Sequence, residues 1–404
     1  MNRIRISPAA RKALLIGCMC SLSYLAVYVA RNILGAVSPR MIADGSFTTE
    51  SIGTLSSVYF ITYAVGQLIN GYIGDRIPAK YMICFGLALA GAGNLCFPLA
   101  AGSLYAAYAA YGMTGFFLSM IYGPMTRVVA ENTEPLYATR CSLGYTFASF
   151  FGSPSAGVLA AFLTWQSVFV FSSAMLILMG CVCFLVFTLF EKRGIVARGR
   201  ISRVQTERKE NGIRILLQHQ IVKFTLISVL TGVVRTTVVF WLPTYLSQYL
   251  GFSADTAALL FTASTFIISM TTFAAVFLYE RLGRNMDLTI RAAFIAASAG
   301  FLLVFLCRVP AVNIACLIFA IMASNCAASM LWSRYCPGLR DTGMVSSATG
   351  FLDFMSYMAA AVSSRLFAGA ADTIGWNGLI LVWLGLMLAG IAVSFAGRKN
   401  PQKI

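Results

Sequence analysis

Residues 24–39 read YLAVYVARNILGAVSP, and residues 233–243 read VVRTTVVFWLP. Each stretch sets one arginine, Arg31 or Arg235, inside an apolar run, and each has a proline eight residues further on, Pro39 or Pro243. The likeness extends outward. A helix-start signal follows each proline, FTTESIG at 47–53 and FSADTAA at 252–258, where Ser or Thr can cap the next helix. Beyond it, GYIGDRIPAK at 71–80 matches VFLYERLGRN at 276–285. The two arginines stand 204 residues apart, and Asp75-Arg76 and Glu280-Arg281 stand 205 apart. Three features in one register argue for an internal repeat.

The chain around these arginines is 59% hydrophobic and 11% charged, with a mean hydropathy of +0.79, where a globular domain carries about 25% charged residues. Crossing hydrocarbon takes about 20 apolar residues in a helix. Twelve stretches qualify, near 13–37, 52–74, 81–101, 103–127, 141–163, 167–190, 221–248, 255–279, 288–307, 313–336, 345–369 and 376–396. Their runs are continuous, not alternating in ten-residue segments, so helices are expected and a barrel is not. The predicted fold class is an all-α membrane protein with twelve transmembrane helices in two pseudo-symmetric six-helix halves. Residues 1–190 form the first half, 191–220 a basic cytoplasmic linker, and 221–404 the second half. The linker's end, GIRILLQHQ, reads equally as a surface amphipathic helix or as a solvated connector. The first span follows Arg3, Arg5, Arg11 and Lys12, is too long for a signal peptide, and is expected to be retained.

The net charge of +16 is decided by its distribution. With both termini cytoplasmic, 25 of the 30 Lys and Arg fall on cytoplasmic segments or helix ends. Arg40 and Arg308 lie outside, and Arg31, Arg235 and Arg365 lie in spans. This is the positive-inside pattern, with some attraction to anionic lipid heads, and it excludes a nucleic-acid footprint. The expectation is a monomeric, multi-pass protein of the inner (plasma) membrane. None of the 11 cysteines falls in a loop placed outside, so no disulfide framework is implied. Cys18 and Cys20, like Cys181 and Cys183, are two apart and point to nearly opposite sides of a helix. No metal or cofactor is expected. There is no nucleophile with its base, and the single histidine, His219, is in the linker, so no catalytic residue is assigned and an enzyme is not expected.

A central arginine costs about 2.5 to 3.5 kcal/mol on the insertion scale and normally faces a partner or a water-filled cavity. Arg31 and Arg235 are too deep to reach an interface readily. Converging from two halves, they would make a midplane clamp, because the guanidinium fork matches phosphate or carboxylate oxygens and keeps its proton. Tyr28 shares a face with Arg31, as does Tyr24, and Tyr59, Tyr63 and Gln67 form a stripe at four-residue steps. Tyr28, Tyr63 and Gln67 are the candidates to line the substrate. Asp353 is the one deeply placed carboxylate. It would contact substrate, balance an arginine, carry a coupling proton, or pair with Arg334; the residues leave these roles open. Asn325, Ser329 and Trp332 are weaker candidates that also read as packing, and Arg365 reads as an interfacial anchor.

GYIGDRIPAK resembles the major facilitator superfamily signature, with Gly71, Asp75, Arg76 and Lys80 in its positions. That resemblance implies a cytoplasmic latch at Asp75, Arg76 and Lys80, with Glu280 and Arg281 as its repeat. Within the superfamily the chain resembles the organophosphate:phosphate antiporters. The resemblance rests on Tyr28, Arg31, Asn32 and Pro39, on GFFLSMIYGPMTR at 115–127, on Arg235 with WLPTYL at 241–246, and on ATGFLDFMSYMAAAVSSRLFAGAADTIGW at 348–376. It departs from the best-described members at Gln67 and Ala148, where they carry a lysine and a histidine. The resemblance implies a phosphorylated metabolite exchanged for inorganic phosphate by alternating access. Two alternatives stand beside it, a proton-coupled symporter of an organic carboxylate working through Asp353 and a transporter-like sugar-phosphate sensor. The partners implied are a small anion, phosphate or a proton, and membrane lipid.

Overall fold

The computed structural model describes residues 7–74, 77–196, 216–339 and 345–396. Asp75, Arg76, Arg3, Arg5 and residues 197–215 of the expected linker lie outside the described residues. Among the described residues there is no strand, and twelve long helical stretches follow one another. They are α1 (Pro8–Ala43), α2 (Thr49–Gly74), α3 (Ala79–Leu99), α4 (Leu104–Asn132), α5 (Pro135–Phe162), α6 (Trp165–Lys192), α7 (Ile221–Gln248), α8 (Ala254–Arg281), α9 (Met286–Leu306), α10 (Pro310–Tyr335), α11 (Val345–Thr373) and α12 (Gly375–Phe395). Ten are long and apolar enough to cross a membrane. The remaining two are α5, whose continuous apolar stretch is Phe150–Phe162, and α11, which carries Asp353, Arg365 and many Ala, Gly and Ser residues.

Local chemistry accounts for the helix ends. Thr48 Oγ accepts from the Ser51 amide at 3.1 Å while Ser51 Oγ accepts from the Thr48 amide at 2.9 Å, a reciprocal cap at the start of α2. Ser253 caps α8 through the Thr256 amide at 3.3 Å. Both cap signals read from the repeat are therefore used. Helix α1 runs past its proline to Ala43, six residues beyond the expected span. Pro39 has no N–H to offer the Gly35 carbonyl, and Ser38 Oγ donates to that carbonyl at 2.9 Å instead. A hydroxyl thus satisfies the acceptor that the proline leaves, and the helix continues.

The chain forms two compact units. The first comprises residues up to Ser46 together with Ile61–Val204. Within it α1 packs on α5 and α6, and α3 packs on α4 and α6. Glycines set the closest approaches: a Cβ on Gly152 of α5 would lie 2.4 Å from Tyr28 Cβ of α1. Lys80, at the start of α3, pairs with Glu191, at the end of α6, at 2.7 Å with both side chains largely buried. The second unit comprises Phe47–Phe60, the first turns of α2, and the chain from Gln205 onward. Within it α7 packs on α11 and α12, and α9 on α10 and α12. The α2 turns rest on α11, where Ser57 Oγ donates to the Ala361 carbonyl at 2.6 Å and Gly53 leaves room for Ala368.

Candidate functional site

In the first unit, Arg31 is half-buried on α1, and its guanidinium carbon lies 5.6 Å from the centre of the Tyr63 ring on α2. That distance places the cation on the aromatic face. Tyr63 is only 2% exposed, so the ring is a fixed wall. Tyr28 is half-buried, meets Tyr24 edge-on at 5.0 Å, and accepts through its carbonyl from Asn32 Nδ2 at 2.7 Å. Tyr24 also touches Tyr122 of α4 at 5.4 Å. Aromatic rings from three helices thus meet in this unit, with Tyr63 the one that carries Arg31 on its face. Gln67 is half-buried one turn beyond Tyr63, and Ala148 on α5 is 4% exposed.

The second unit gives Arg235 a different setting. Residues Val233–Val238 form a π-helical segment inside α7, with Arg235 in its middle. Arg235 Nη2 lies 3.9 Å from Asp353 Oδ1 of α11, and the two side chains are 32% and 26% exposed. This atom is buried and makes no hydrogen bond. The guanidinium carbon lies 5.9 Å from the ring centre of Trp332, which sits in a second π-helical segment, Leu331–Tyr335 of α10. Segments of this kind are rare and frequently mark functional sites. Asp353 thus forms an ion pair with Arg235, one of the arrangements the sequence left open for it. Arg334 lies over the Tyr279 ring at 4.5 Å instead. On α10, Ser329 Oγ donates to the Asn325 carbonyl at 2.9 Å, while Asn325 Oδ1 is buried without a hydrogen-bond partner.

The residues read as a latch are placed at helix ends. Lys80 makes its ion pair within the first unit, tying α3 to α6. Arg127 Nη2 donates to the Ile77 carbonyl at 3.1 Å in the same loop. Glu280 and Arg281 are exposed at the end of α8, and Arg281 lies over Phe277 at 5.3 Å. Arg365, read as an interfacial anchor, pairs with Glu50 at 3.0 Å and donates to Thr54 on α2. Sequence reasoning missed both π-helical segments and the close approach at Gly152. The only signal was indirect, since small residues let helix backbones approach in membranes.

Residues 20–364 match the family model of the Major Facilitator Superfamily. The chain belongs to that superfamily. Its members are membrane carriers and not enzymes, and the chain is a multi-pass membrane protein. Membrane sensor protein UhpC of Escherichia coli is 25% identical over 89% of this chain and 86% of its own length. The phosphoglycerate transporter protein of Salmonella typhimurium is 23% identical over 95% of this chain and 88% of its own length. These relatives accord with the organophosphate resemblance carried by Tyr28, Arg31 and Arg235. Among solved structures, a bacterial homologue of the human lysosomal transporter Spinster superposes with a TM-score of 0.75, covering 96% of this chain and 97% of its own at 14% identity. That likeness shows the major facilitator fold.

Proposed function

We propose that this protein is a secondary transporter that moves a small organic anion by alternating access, with Arg31 and Arg235 as its anion-binding cations. The reading is carried by Arg235, which presents a buried guanidinium nitrogen that makes no hydrogen bond among the described residues and lies 3.9 Å from a carboxylate. An unmade hydrogen bond at a buried charged group costs more than about 1 to 3 kcal/mol. A phosphate or carboxylate oxygen is the ligand type that recovers it, through the bidentate geometry of the fork. Arg31, at the equivalent place in the repeat, lies over the Tyr63 ring at 5.6 Å.

The phosphoglycerate transporter among the relatives supports a phosphorylated metabolite as cargo, and the resemblance to the organophosphate:phosphate antiporters implies inorganic phosphate as the exchanged ion. Tyr28, Tyr63 and Gln67 then line the substrate, Asp353 releases Arg235 to it, and Lys80, Glu280 and Arg281 belong to the helix ends that change partners. The protein resides in the inner membrane with both termini cytoplasmic. The test is labelled-phosphate exchange in phosphate-loaded liposomes, for wild type, Arg31→Lys and Arg235→Lys. The expected result is exchange in wild type and a loss of at least a hundredfold in each variant. Folded wild type that exchanges no phosphate overturns the phosphate assignment.

A second reading is favoured by UhpC, which is named a membrane sensor protein. A sensor would bind sugar phosphate with little flux. Ligand-dependent thermal stabilisation together with flux near the liposome background would select it.

A further inference from the structure

Helices α7 and α11 are joined by contacts that count residues. Ser228 Oγ donates to the Leu352 carbonyl at 2.9 Å, an offset of 124. One turn later Gly232 lies against Ser356, again an offset of 124, where an added Cβ would be 2.2 Å from Ser356 Oγ. Beyond the π-helical segment, Thr237 Oγ1 donates to the Ala360 carbonyl at 3.2 Å, an offset of 123. Thr237 Oγ1 also lies 2.9 Å from Ser363 Oγ. Between Gly232 and Thr237 the chain thus uses five residues where α11 uses four. A π turn closes its hydrogen bond over one more residue than an α turn, and that residue is the whole of the discrepancy.

The extra residue changes where Arg235 points. If both flanking contacts keep their places, five residues cover the rotation that four cover in an α-helix, about 80° each instead of about 100°. Arg235 then stands about 240° round from Gly232. Removal of one residue would restore a regular helix and both flanking contacts. It would leave Arg235 at about 300° if the residue came from after it, or at about 200° if from before it. At the radius of side-chain tips either change moves the guanidinium by roughly 4 to 6 Å. That exceeds what the 3.9 Å approach to Asp353 and the 5.9 Å approach to Trp332 can absorb.

We infer that the extra residue of the α7 π segment is a positioning device, which holds Arg235 at an azimuth that no α-helix in this register supplies. Anion binding depends on that azimuth as well as on the charge. The inference rests on the proposed role of Arg235 as an anion-binding group. Its partner is the π segment of α10, which brings Trp332 to the same guanidinium.

The experiment deletes Val234 or Thr236 singly in the full chain. Folding is followed by monodispersity and thermal unfolding, and the half-saturation constant for labelled inorganic phosphate is measured in liposomes. A parallel set carries Arg235→Cys with Asp353→Cys in each background, joined by a short bifunctional thiosulfonate and read by mass spectrometry. The expected result is that both deletions fold, raise the half-saturation constant at least tenfold, and lose the cross-link between the introduced thiols. A folded deletion with wild-type phosphate dependence or wild-type cross-linking overturns the inference. If wild type itself ignores phosphate, the cross-links decide alone: a join confined to the undeleted chain upholds the positioning while the phosphate reading falls. Should a deletion fail to fold, the exchange Val234→Arg with Arg235→Val keeps length and composition. Retention of wild-type phosphate dependence there overturns the azimuth requirement, and loss upholds it.

Discussion

At Arg235 a cation that cannot discharge is held 3.9 Å from the carboxylate of Asp353, with neither side chain fully sealed from solvent. Unlike charges at that separation attract by about 4 kcal/mol at an effective dielectric of 20, and their partial exposure screens much of this. Asp353 therefore competes with an incoming anion for the same guanidinium. Asp353→Asn removes the competitor and keeps the shape. The expected outcome is a fall of roughly tenfold, about 1.4 kcal/mol, in the half-saturation constant for phosphate. A rise would show that Asp353 binds the substrate itself. Arg31 has an aromatic partner at 5.6 Å. Tyr63→Leu keeps an apolar wall without the ring face, and is expected to weaken phosphate binding by about 0.5 to 2 kcal/mol, whereas Tyr63→Phe, which keeps the ring face, retains that contribution.

The elements that hold these residues are joined by close approaches and end pairs. On α5, Gly152→Ala would place a methyl 2.4 Å from Tyr28 Cβ, so α1 and α5 must part. A loss of about 1 to 3 kcal/mol is expected from such overpacking. Gly123→Ala on α4 meets nothing within 4 Å and should gain about 0.5 to 1 kcal/mol from helix propensity. Thermal unfolding of the two variants in one detergent checks both signs. At the ends of α3 and α6, the largely buried Lys80–Glu191 pair makes a separate case. Breaking such a pair strands a charge, whereas replacing both partners by apolar residues removes the penalty. The double variant Lys80→Met with Glu191→Leu is therefore expected to unfold above either single variant. An additive cycle would show that Lys80 acts elsewhere, as the latch reading from GYIGDRIPAK supposes.

For the whole molecule, the concentration of Lys and Arg in the segments on one side of the expected spans supports the proposal that both termini are cytoplasmic. Alkaline phosphatase joined after Gly102, between α3 and α4, should be active, and the same enzyme joined after residue 396 should be inactive; the reverse would invert the topology. Much of this architecture was legible in the sequence because membrane crossing is set by length and hydropathy, both local properties. The repeat that links Arg31 with Arg235 and FTTESIG with FSADTAA was legible because it is a matter of spacing. The cost of a charge in hydrocarbon marked Arg31, Arg235 and Asp353 as functional candidates before any contact was known. What the sequence could not determine is how one helix turns against another. Pairing of Asp353 with Arg235 and not with Arg334, of Lys80 with Glu191, and of Arg365 with Glu50 depends on which faces meet. Hydropathy does not report faces when a helix is apolar all round. The π turn at Val233–Val238 leaves no mark in VVRTTV that an α-helix would not also leave. Only the register of α7 against α11, nine residues from Ser228 to Thr237 matched to eight from Leu352 to Ala360, decided where Arg235 points.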